Sequence, residues 1–123
     1  MTEASERRRD RHLLLDALAA EGLLPHERFG EFLADDGPTY TLELGEAIHV
    51  FLARSQARLM LVQLEDAAGE IEQANLPGTS DSHPNWRRRM SVTLEQLFAG
   101  GMLRLAALVA AARRQANPEP NSE

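Results

Sequence analysis

Apolar positions recur at spacings of three and four from Asp10 to Glu21, where Leu13, Leu14, Ala17, Leu18 and Ala20 share one side of a helical projection. Gly22 stands where helices commonly close on a left-handed residue, so the first helix is expected to end there. Residues 1–8 are polar and are expected to form a flexible N-terminus. A short helix is predicted over His26–Leu33, after Pro25. Asp35-Asp36-Gly37-Pro38 has the composition of a turn. Thr41 is placed to cap a helix running through Arg54, with Glu43 and Glu46 in its first turn. The stripe of that helix is Leu44, Ala47, Ile48, Phe51 and Leu52.

The pattern changes at Ala57. The run Ala57-Arg58-Leu59-Met60-Leu61-Val62-Gln63-Leu64 is nearly continuous in apolar residues. A short run of this kind reads as a strand over 58–64, buried on both faces as in a parallel sheet. A buried piece of helix is the alternative, since periodicity alone does not separate the two. Glu65-Asp66-Ala67-Ala68-Gly69 can form one helical turn, and residues 70–90 read as an irregular polar loop. Helix returns after Val92, as a short piece over Thr93–Phe98. Beyond Gly100-Gly101 follows a longer piece over Met102–Arg114. The longer piece is rich in Ala and Leu on most sides and should pack against more than one neighbour. The expected organisation is one domain over residues 9–116 and a disordered tail over residues 117–123. The fold class is then mostly α with one buried β-strand.

Composition narrows the functional classes. The chain has 123 residues, enough for one core. Only 5% of residues are aromatic, so that core must be aliphatic. The formal net charge of −6 argues against binding nucleic acid or an anionic membrane, both of which call for a cationic field. The basic residues are all Arg, which a GC-rich coding sequence would explain. With no Cys, disulfides, thiol catalysis and Cys-ligated metals are excluded. The apolar stretch near the start is short and broken by Asp16 and Glu21, unlike a signal peptide or membrane span, which leaves a cytoplasmic location as the expectation.

Candidate chemistry concentrates after the expected strand. Gln63, Glu65 and Asp66 follow it directly, and ligands in parallel α/β folds meet the chain at strand C-termini. Glu65 and Asp66 could equally favour the N-terminus of the turn behind them. Further on stands "NLPGTSDSHPNWRRR", residues 75–89. Pro77-Gly78 suits a type II turn. Asn75 and Asn85 carry amides that both donate and accept, which matches the double character of sugar hydroxyls. Trp86 can anchor the loop by packing or offer a stacking face. The short run Arg87-Arg88-Arg89 is expected to pair with nearby acids such as Asp81. The four histidines His12, His26, His49 and His83 lack ligand spacing, so no metal is implied. His49 lies beside the stripe of its helix and is expected to be partly buried and structural.

The stretch "VQLEDAAGEIEQANLPGTSDSHPNWRRRM" resembles the C-terminal part of the 4-α-glucanotransferases, the amylomaltase or disproportionating-enzyme family. The elements of the resemblance are Leu64-Glu65-Asp66, Asn75-Leu76-Pro77-Gly78-Thr79 and Pro84-Asn85-Trp86-Arg87-Arg88. It covers about residues 40–100, while residues 1–39 fit only as generic helix. The family fold is a (β/α)8 barrel, so the resemblance implies that this chain is its last helix–strand–helix portion, with residues 58–64 as the eighth strand. It implies α-1,4-glucan or maltooligosaccharide as ligand and no cofactor. Asn75, Pro77, Gly78, Asp66 and Glu65 would be the substrate-binding residues, and Trp86 and Asn85 would anchor the loop. The family reaction is a retaining glycosyl transfer by two carboxyl groups. Those carboxylates lie on earlier strands that nothing here matches, so no catalytic residue is assigned to this chain. A barrel fragment of this kind, starting at Met1, would be a truncated or split gene product or a remnant with a new role. Its strand would be covered by helices folding over it, the Ala-rich last helix among them, by self-association, or by docking to a larger barrel chain.

Overall fold

The computed structural model describes residues 2–34 and 40–118. Among them are six α-helices and one 3-10 turn, and no strand. α1 spans Glu3–Ala20, and the 3-10 turn His26–Arg28 leads into α2, Phe29–Leu33. α3 spans Leu42–Ala53, α4 Leu64–Ala68, α5 Leu94–Ala99 and α6 Gly101–Ala116. The expected turn at residues 35–38 lies outside the described residues, as does all of the expected tail beyond Pro118.

Local chemistry accounts for most helix ends. α1 starts seven residues before the periodic stripe because the Thr2 hydroxyl accepts the Ser5 N–H and Glu3 and Glu6 favour its first turn. It closes in a Schellman arrangement. Leu23 N–H donates to Leu18 O and Gly22 N–H to Ala19 O, both at 2.9 Å, with Gly22 at φ 68°. Thr41 caps α3 as expected, its hydroxyl accepting Leu44 N–H at 3.1 Å. Thr93 and Gln96 form a reciprocal capping box on α5.

Two apolar clusters make the core. In the first, Leu15 and Leu18 of α1 meet Leu24, Phe29, Phe32 and the α3 residues Leu44 and Ala47. In the second, Ala67 of α4, Leu97 of α5 and Leu105 of α6 pack with Val62, Met90 and Met102 around them. α3 and α6 lie against each other and join the two. An ion pair between Arg104 of α6 and Glu46 of α3 spans this contact at the surface.

The buried strand expected over 58–64 is absent. Residues 57–63 run without helix or ladder, and Leu64 already belongs to α4. Neither is the run buried on both faces: Leu59 is 76% exposed and Leu61 83%, while Met60 and Val62 between them are half-buried. Val62 reaches the second cluster. The alternation has the period of a strand, but a ladder needs a second extended segment to take up its N–H and C=O groups. The described residues provide none. Arg113 of α6 instead donates to one carbonyl just before the run, Ser55 O at 3.3 Å, and to one within it, Arg58 O at 3.1 Å. The architecture is therefore all-α among the described residues.

Candidate functional site

The irregular residues 70–90 are held by their own side chains. Pro77-Gly78 makes the expected turn, with Thr79 N–H donating to Leu76 O at 3.3 Å and Gly78 at φ 82°. Asn85 is the hub. Its Oδ1 accepts Leu76 N–H at 2.8 Å, and its Nδ2 donates to Thr79 O at 3.1 Å and Thr79 Oγ1 at 2.9 Å. The His83 Nε2–H donates to Gln73 O at 2.9 Å. Arg88 pairs with Glu72 at 2.6 Å, not with Asp81. Anchoring by the Trp86 ring is not seen: the residue is 77% exposed, in a left-handed conformation at φ 60°, and is fixed by its backbone N–H on Ala74 O at 2.8 Å. The anchor is the amide of Asn85, and the indole is left free to face outward.

These bonds fold the loop back on α4 around an open cavity of about 680 Å³. Glu65 and Asp66, in the first turn of α4, form one side of it. Asn75, Pro77 and Trp86 form another, and residues 70–74 complete the lining with Gln63. Five of the seven expected site residues thus line one space. Gly78 and Asn85 do not, but they set the path of the wall. Among the described residues the Asn75 amide has no hydrogen-bond partner, so its donor and acceptor are both available. Residues 70–74 were missed because nothing in their spacing separates them from ordinary loop residues.

The cavity is acidic, with apolar surface from Ile71, Ala74, Pro77 and Trp86 beside its polar groups. Glu65, Asp66, Glu70 and Glu72 contribute carboxylates, which disfavours anions. Hydrogen bonds from Ser91, reinforced by Arg88, hold the Glu70 carboxyl below its ordinary value. No grouping of His, Asp and Glu among the described residues could hold a metal ion. Carboxylate acceptors, the side-chain amides of Gln63, Gln73 and Asn75 and an exposed indole make a lining suited to a neutral, hydroxyl-rich ligand.

Behind Asp66 lies a second, small cavity of about 20 Å³ between α3, α4 and α6. His49, only 8% exposed, stands in it, with Tyr40 and Gly45. Its Nδ1 is 2.7 Å from Gly45 O, and its Nε2 is 3.7 Å from Asp66 Oδ2. Burial, helped by the Asp66 charge, pushes the Tyr40 phenol above its ordinary value. Sequence spacing gave no sign of this grouping, since His49 and Asp66 lie on different helices.

The sequence pattern of the 4-alpha-glucanotransferase family, glycoside hydrolase family 77, matches residues 3–94. The chain belongs to the 4-alpha-glucanotransferase family. Its match begins within α1, so the first helices are family sequence too, against the expectation that residues 1–39 fit only generically. The chain is 34% identical over 95 residues to a 4-alpha-glucanotransferase of Haemophilus influenzae, covering 77% of this chain and 13% of that enzyme. It is 36% identical over 96 residues to a 4-alpha-glucanotransferase of Mycobacterium bovis, covering 73% of this chain and 13% of that enzyme. The Mycobacterium tuberculosis 4-alpha-glucanotransferase matches to the same extent. The chain therefore spans about 13% of the length of the curated relatives it matches. No solved structure matches it. All the residues around the larger cavity fall inside the family match. No described helix is long and apolar enough to cross a membrane.

Proposed function

We propose that this chain provides a glucan-binding wall of a 4-alpha-glucanotransferase site, corresponds to the C-terminal part of such an enzyme, and does not catalyse by itself. The observation that carries the reading is the convergence of Glu65, Asp66, Asn75, Pro77 and Trp86 on one open cavity inside the family match. Sugar hydroxyls find acceptors in the two carboxylates and both a donor and an acceptor in Asn75. The exposed Trp86 ring offers an apolar face to a pyranose. Gly78 and Asn85 shape the wall. The ligand is an α-1,4-glucan or maltooligosaccharide, and transfer between glucans requires carboxyl groups from outside this chain.

The exposed Leu59 and Leu61 favour a companion for the chain, by self-association or by docking on a larger barrel chain.

Two assays test this. Maltoheptaose titrated into the purified chain should change the fluorescence of Trp86, the only tryptophan, in a saturable way. No change at millimolar glucan would count against a binding wall. Incubation with maltotriose should give no longer or shorter products, and clear disproportionation would overturn the view that the chain lacks its catalytic groups.

A further inference from the structure

The last turn of α6 borders an open cavity of about 400 Å³, lined by Gln56, Arg58, Arg113, Arg114 and Asn117. It shares no residue with the cavity around Asn75. Its charged lining residues are all arginines, and none of the lining residues is acidic. Arg28, Arg54, Arg88 and Arg104 each pair with a glutamate. By contrast, no carboxylate of the described residues pairs with Arg58, Arg113 or Arg114. The half-buried Arg113 is held in place, donating to Ser55 O at 3.3 Å and to Arg58 O at 3.1 Å. Those two bonds tie the segment after α3 to the end of α6 and bring Arg58 beside Arg114. Cations in the last turn of a helix offset its negative end, and Arg113 and Arg114 are placed to do so. That end carries only about half an elementary charge. Arg58 comes from another segment, so the patch holds more positive charge than the helix end requires.

We propose that this patch binds a phosphate group, either free or as the ester of a small hydroxylated molecule. A guanidinium presents its N–H groups as a planar fork that matches phosphate oxygens in pairs. The side-chain donors of Arg58 and Arg114 have no hydrogen-bond partner among the described residues, so both forks are available. Arg113 spends one N–H on each of two carbonyls and adds its charge from a fixed position. A phosphate ester presents three acceptor oxygens and about two negative charges, enough to engage both forks at once. A carboxylate has two oxygens and a single charge, and satisfies one fork. The amides of Gln56 and Asn117 both donate and accept, which suits hydroxyls beside the phosphate. The chain carries a net charge of −6, which repels long polyanions, but a small anion responds to the local field of the patch. Binding here does not depend on the glucan-binding wall, which lies against α4.

The test titrates inorganic phosphate into the full chain at constant ionic strength, so that screening stays the same throughout. In NMR, the side-chain Nε and Cζ signals of Arg58 and Arg114 should shift saturably, while those of Arg87, in the loop, stay in place. Shifts no larger than those given by matched chloride, or equal shifts at Arg87, overturn the proposal without any variant. Acetate should bind more weakly than phosphate; equal binding overturns the assignment to phosphate. Glucose 6-phosphate separates the two sources: tighter binding than inorganic phosphate supports an ester as the ligand, and weaker binding supports the free ion. By calorimetry, Arg58→Gln and Arg114→Gln should each weaken phosphate binding roughly fivefold, and Arg87→Gln should leave it unchanged. Binding by Arg58→Gln and Arg114→Gln equal to that of the wild-type chain overturns the proposal.

Discussion

The side-chain carbonyl of Asn85 accepts the Leu76 N–H at 2.8 Å across nine positions of chain, while its amide donates twice to Thr79. Three bonds from one side chain close the Pro77-Gly78 turn into a fixed wall. Asn85→Ala should leave that N–H without its partner and loosen the turn by about 1–2 kcal/mol. Hydrogen exchange at the Leu76 amide should speed up accordingly, with little change at the core amides of α1 and α3. Asn85→Asp keeps the acceptor but loses both donors, so its exchange should fall between the two.

Trp86 is exposed, so Trp86→Ala should leave thermal unfolding nearly unchanged while weakening maltoheptaose binding measured by calorimetry. Its backbone sits at φ 60°, a conformation that costs most residues about 1–2 kcal/mol. Trp86→Gly should therefore be at least as stable as Trp86→Ala. Equal loss of stability and binding in Trp86→Ala would mean the ring supports the loop after all.

Gly101 lets α6 approach α4. A β-carbon there would stand 2.3 Å from the backbone oxygen of Ala67, which cannot move aside alone. Gly101→Ala should cost about 1–3 kcal/mol in urea unfolding by forcing the helices apart. At Gly100 the nearest obstacle is Gln96 O at 3.3 Å, so Gly100→Ala should cost less.

Leu59 and Leu61 are exposed on an irregular run that has no neighbouring strand among the described residues. Leu59→Lys with Leu61→Lys should raise solubility and reduce association in analytical ultracentrifugation, because charge on an exposed extended segment discourages pairing. Stability should change little, within about 0.5 kcal/mol. Substituting the inward Val62 by Lys should instead destabilise the second cluster.

Glu31 is held below its ordinary value by Arg28, and Glu70 by Ser91. A carboxyl with a depressed folded value stabilises the protein above its unfolded value of 4.5, and the contribution is lost as pH falls through the lower folded one. The melting temperature should accordingly drop on acidification below that value. Arg28→Met should remove part of this acid dependence, leaving the Glu70 part in place.

Helix content was legible in the sequence where stripes and caps agree. Leu44, Ala47 and Phe51 repeat at helical spacing behind Thr41, and the helix forms there. Gly22 stops α1 where a left-handed residue was needed. The Pro77-Gly78 turn and the clustering of Glu65, Asp66, Asn75 and Trp86 could also be anticipated, because turn chemistry is local and the motif residues lie close in the chain. The strand over 58–64 could not be settled this way. Its residues favour extension, but a strand is a relation between segments, and none of the described residues pairs with it.

Sequence by itself therefore determined the family, the helix ends and the chemical character of the loop, since each depends on side chains a few positions apart. Tertiary structure decided three other matters. It left residues 57–63 unpaired because no other described segment could supply a ladder. It gave the anchoring role to Asn85 rather than the Trp86 ring, because the amide reached two backbone groups while the backbone turned the ring outward. It set His49 behind Asp66 because α3 and α4 both pack on α6, and distance through space, unlike spacing along the chain, decides which charges meet.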